Sequence, residues 1–107
     1  MSREYFEYDG LVVGECETYE ITIAEGQTVK RGDLLIASGD NFAVDTVGAT
    51  SGKVYCIATE DVDATDGAAA SVGYFSGRFN AEKVTEQAAE SSKYYLAAQG
   101  IFLVNVR

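Results

Sequence analysis

Histidine is missing from this chain of 107 residues, and so are proline and tryptophan. Without histidine the chain lacks the commonest general base, the side chain that changes charge near neutral pH, and the commonest metal ligand. Basic residues are few: eight Lys and Arg stand against seventeen Asp and Glu, for a net charge of −9. That balance repels phosphate backbones and anionic lipid surfaces, so neither nucleic acid nor membrane is an expected partner. Lys30 and Arg31 are the only adjacent bases, and no basic face emerges. No apolar run is long enough to cross a bilayer. The opening MSREYFEYDG carries acids and lacks the apolar centre of a secretory signal.

Cysteine is scarce as well. Cys16 and Cys56 form no CxxC, and both fall in segments that read as strands. Small buried thiols in a reducing compartment are the plain expectation, with a single disulfide as the alternative. Ser51, Ser71 and Ser76 have no histidine to activate them, and neither cysteine has an adjacent base. The glycines spell neither GxxxxGK[ST] nor GxGxxG, so no phosphate cradle is expected. No catalytic residue, cofactor or metal site is therefore assigned, and the chain reads as a non-enzyme. The acids Glu60, Asp61, Asp63 and Asp66 come nearest to a calcium loop. Thr65 takes the third ligand place, Gly67 comes one residue late, and the twelfth position is Val72 rather than glutamate. A solvated acidic connection explains them.

What is present is β-forming sequence with sharp corners. The chain is organised around residues 21–37, ITIAEGQTVKRGDLLIA. An extended run ends at Ala24, Gly26 turns the chain, and Gly32 breaks a second run that resumes at Leu34. Residues 11–14 form a short strand that 15–20 continue, with acids alternating along it. After a turn over 38–41 come a brief strand at 42–44, a Gly/Ser/Thr loop over 45–52, and a clear strand over 53–59. The acidic connection 60–67 leads to a strand over 68–77 that extends toward Asn80. The period then changes. Residues 85–99, TEQAAESSKYYLAAQ, put Ala88, Ser92, Tyr95 and Leu96 on one face, with Thr85 as N-cap and Gly100 as the stop. Residues 101–106 close the chain as a strand. The expected fold is mainly β (α+β): one domain over 15–107 with a C-terminal helix before the last strand, preceded by an N-terminal arm over 1–14. In that arm Tyr5, Phe6 and Tyr8 sit among acids and serve either to cap the core or to dock a partner.

Two resemblances bear on function. AEGQTVKRGDLL and SGKV resemble turns of biotinyl and lipoyl carrier barrels, but the interval ASGDNFAVDTVGAT at 37–50 holds no lysine for attachment. A fuller match runs through GQTVKRGDLL at 26–35, IATEDVDATDGAA at 57–69, SVGYFSGRFN at 71–80 and LAAQGIFLVNV at 96–106. That order resembles the lambda-type capsid-cementing proteins, the head-decoration family of bacteriophages. The resemblance implies a compact mainly β domain that sits as a homotrimer on the outside of the expanded capsid. It implies binding to the major capsid protein after synthesis in the bacterial cytoplasm, with no catalytic residues or cofactor. In that family the N-terminal arm pairs with a capsid strand. By position this makes Tyr5, Phe6, Tyr8 and Leu11 the expected capsid-binding residues. A tail or fibre adaptor, or a carrier-like barrel without its lysine, are the alternatives.

Overall fold

A computed structural model describes residues 10–46, 53–84 and 92–104. In chain order they form β1 (Val12–Ile23), β2 (Thr28–Val29), β3 (Leu34–Ser38), β4 (Asn41–Val44), β5 (Tyr55–Ala58), β6 (Val62–Asp63) and β7 (Ala69–Asn80). A 3-10 turn (Ala81–Lys83), the helix α1 (Ser92–Ala97) and β8 (Ile101–Val104) follow. The architecture is mainly β with one short helix before the last strand, as the residue pattern predicts.

The two longest strands, β1 and β7, pair antiparallel from Val12↔Phe79 to Ile23↔Ala69. Neighbours run β1-β4-β3-β5-β7, and the β1–β7 pairing closes these five strands into a small barrel. Parallel β8 extends β7 beyond the ring, from Gly77↔Ile101 to Asn80↔Val104. A two-stranded piece, β2 with β6, stands apart from the main sheet. The acidic connection is thus not all loop: its Val62 and Asp63 make a strand with Val29 and Thr28. Register shifts in β1 and β7 bend the long pair. Gly77 sits in that bent stretch with φ 138°, and a methyl there would stand 2.6 Å from the Cys16 Cβ.

Strand alternation sorts the apolar side chains into two cores. Inside the ring lie Ile21, Ile23, Leu35, Cys56 and Ala58, with Val29 and Ala64 of the β2–β6 region packed among them. On the outer face of β3, β5 and β7, the side chains of Leu34, Tyr55, Ile57 and Tyr74 meet Leu11, Phe79, Val84, Leu96 and Ile101. β3 and β5 are therefore buried on both faces, which is why LLI and YCIA read as unbroken apolar runs. Of the predicted helix, residues 92–97 are helical, 98–99 belong to the turn that follows, and 85–91, with Thr85 and Ala88, lie outside the described residues. Leu96 is fully buried, whereas Tyr95 is 38% exposed and lies at the margin of the buried face. The chain leaves the helix at Gly100, whose φ is 90°. No described helix is long and apolar enough to cross a membrane.

Candidate interaction surface

Backbone and side-chain groups at the two corners of the organising stretch hold the fold together. Gly26 donates its N–H to the Ala64 carbonyl (2.8 Å), and Ala64 N–H donates to the Gln27 carbonyl (2.9 Å). Gly32 N–H reaches the Ala58 carbonyl (3.0 Å) while Ala58 N–H reaches the Asp33 carbonyl (2.9 Å). The buried Asp33 closes its own turn by accepting the Lys30 N–H at 2.9 Å. Arg31 lies across the seam: its backbone N–H donates to Asp61, and its guanidinium donates to the Thr59 carbonyl and the Tyr74 hydroxyl. The guanidinium carbon also stands 6.0 Å from the Tyr74 ring centroid. Residues 24–36 and 57–67 are thereby tied into one knot.

The acids of the 60–67 connection belong to the same arrangement. Glu60 accepts the Ser71 hydroxyl proton (2.8 Å), and Asp63 accepts both the Thr65 hydroxyl (2.7 Å) and its N–H (3.0 Å). Those bonds, the hydroxyl foremost, hold the Asp63 carboxyl below its ordinary pKa. Among the described residues no three His, Cys, Asp or Glu side chains gather into a metal site. The two thiols are not joined. Cys16 packs against the outer core and Cys56 inside the ring, where burial pushes its pKa up to about 12.

The opposite side of the barrel is less fully joined. Between β1 and β4 the only paired residues are Ile23 and Phe42, with the Ala24 N–H donating to the Phe42 carbonyl at 2.9 Å. Backbone groups of alternate residues leave a strand by the same edge. Thr22, Glu20 and Thr18 therefore aim their amides at the same side as Ala24, and no backbone partner meets them there among the described residues. An open groove of about 720 Å³ adjoins this seam, lined by residues 20–22 of β1, by Asp40 and Phe42, and by residues 70–72 and Phe75 of β7. Phe75 stacks edge-on against Phe42 (centroids 5.7 Å apart) and against Tyr19 (5.2 Å). Tyr19 itself is 64% exposed. The result is an aromatic shelf beside an unpaired strand edge, rimmed by acids.

The residues expected to bind a partner fall elsewhere. Tyr5, Phe6 and Tyr8 lie outside the described residues. Leu11 is 1% exposed, in the outer core, and the Asn80 N–H donates to its carbonyl at 2.8 Å. Its side chain serves packing, because burial leaves it no surface to offer. Val12 to Gly14, placed in the arm by sequence, are the first residues of β1. Tyr19, Phe42 and Phe75 are strand aromatics far apart in the chain, and the sequence carries no local sign that they converge. The β3–β4 hairpin tip, where a carrier barrel would present its lysine, is Gly39 and Asp40. No protein-family model matches the chain, and no curated protein matches it.

Proposed function

We propose that this protein is a non-catalytic structural protein of a bacteriophage virion, which cements the expanded capsid from outside by binding the major capsid protein. The observation that carries the reading is the joining of two of the resembling motifs. GQTVKRGDLL and IATEDVDATDG, which are separated by more than twenty residues, lock together through the bonds of Gly26, Gln27, Arg31, Gly32 and Asp33 to Ala64, Asp61 and Ala58. Residues that resemble the family's thus form one structural unit, held by backbone and side-chain bonds inside it.

The cement acts by differential affinity. A protein that binds only the expanded lattice stabilises it by mass action, and many copies multiply a modest free energy per site. A homotrimer engages three attachments at once, so weak contacts add through effective concentration. The arm carries the attachment: residues 2–9, with Tyr5, Phe6 and Tyr8 as anchors, pair with a capsid strand. Leu11 stays in the core and holds the base of the arm to the domain.

Co-sedimentation with the cognate phage's shells, prepared before and after expansion, tests this. Pelleting with expanded shells only, saturating at a fixed ratio to the major capsid protein, is the expected result. Saturation at a few copies per shell would indicate a tail or fibre adaptor instead, and no pelleting would overturn the reading. Deleting residues 1–8 should abolish binding and leave the thermal melt nearly unchanged. A truncated chain that still decorates removes the arm from the mechanism.

A further inference from the structure

The barrel seam carries an inference that does not rest on the cement reading. We propose that the β1 edge over residues 18–22 is a docking groove for an extended, lysine- or arginine-bearing segment of a partner protein, added as a strand beside β1.

Three observations support the extended form and the charge. The backbone groups of Thr18 and Glu20 and the N–H of Thr22 form a row at strand spacing along one edge of β1, and Glu20 and Thr22 line the open groove. Such a row is a template for a further strand, with main-chain hydrogen bonds supplying affinity and side-chain pockets supplying selectivity. The Tyr19–Phe75–Phe42 shelf offers one such pocket for a large apolar side chain. The rim is acidic. Glu20 and Asp40 line the groove with no base among the lining residues, and Glu15 and Glu17 continue the charge along β1. None of these four carboxylates makes a hydrogen bond or ion pair among the described residues. A second copy would bring the same acids against them, in a chain of net charge −9, and is disfavoured by like-charge repulsion. A basic strand meets the reverse.

The full-length chain and a fluorescein-labelled KVKFKVK peptide test the proposal by anisotropy, with EVEFEVE as the charge control. A third peptide, N-methylated at alternate residues along one edge, cannot donate to β1 but keeps its charge. Saturable binding of the first peptide and neither control is expected, with amide shifts concentrated at residues 18–22 and 40–42. The double variant Glu20→Lys, Asp40→Lys should bind about tenfold more weakly, the effect of two exposed charge pairs reversed. Both positions border solvent, so the variant should melt as the parent does; Tyr19→Ala, weakening the peptide without reversing a charge, is the second check. Equal binding of the N-methylated peptide, unweakened binding by the charge-reversed variant, or shifts elsewhere would overturn the proposal. So would a self-associated chain that excludes the peptide, since a second copy would then hold the edge.

Discussion

The two sides of this barrel are built from the same kinds of residue and differ in how completely they are joined. On one side β3, β5 and β7 are paired in succession, with β3 and β5 buried on both faces, and the 24–36 and 57–67 turns are tied to each other by reciprocal backbone bonds. On the other side β1 meets β4 at a single residue pair and then diverges from it. The closed side uses many backbone groups of its motif turns in bonds across the fold, whereas the seam leaves a row of backbone groups without a backbone partner among the described residues. A barrel this small can hold its fold with three well-buried strands and keep one seam for contact.

That contrast can be broken from the closed side first. Leu35 is fully buried inside the ring, so Leu35→Ala should cost about 2–5 kcal/mol in urea unfolding, through lost transfer energy and the cavity left behind. A loss under 1 kcal/mol would mean that the interior is loosely packed and the contrast false. Gly32→Ala attacks the knot. At φ 95° its methyl would stand 2.5 Å from the Lys83 carbonyl oxygen, so about 1–3 kcal/mol should be lost. The same substitution at Gly26, where a methyl meets nothing, should cost less and separates the clash from the backbone strain the two positions share.

Cys56 gives a pH readout of the same interior. Its folded pKa is raised from 9.0 to about 12 by burial, so the unfolded chain loses this proton first as pH rises. The stability linked to the thiol is complete below pH 9 and is lost as pH climbs toward 12, at a slope approaching about 1.4 kcal/mol per pH unit. Cys56→Ala should remove that part of the slope, and a thiol reagent should label Cys56 only on unfolding. The smallest effect belongs to the seam. Tyr19→Ala, on an exposed ring with one edge-on contact, should cost at most about 1 kcal/mol. Hydrogen exchange should order the amides likewise, with Ile57 and Ala58 slow and Glu20 and Thr18 fast.

Much of this fold is legible in the chain because the signals are local. The corners at Gly26 and Gly32, the hairpin turn at Gly39, and the strands at 55–58 and 69–80 follow from glycine position and β-branched or aromatic runs. The β2–β6 pair was not legible. Two residues on each strand are too short to show alternation, and Val62 and Asp63 lie in a stretch whose acids read as loop. Leu11 misled for a related reason: it opens an apolar run that looks alike whether it enters a core or leaves it. Burial is decided by Phe79, Leu96 and Ile101, between about seventy and ninety residues further along the chain.

By itself the sequence determined the class of fold, the acid excess that turns away polyanions, and the lack of a histidine for neutral-pH chemistry. Those follow from composition and from spacing within a few residues, where steric and periodic rules act without knowledge of the whole. Tertiary structure alone decided that the five strands close, that the closure is loose between β1 and β4, and that Tyr19, Phe42 and Phe75 meet at the gap. Registers between distant strands are fixed by which side chains share a core. That sharing comes into being only when the chain folds.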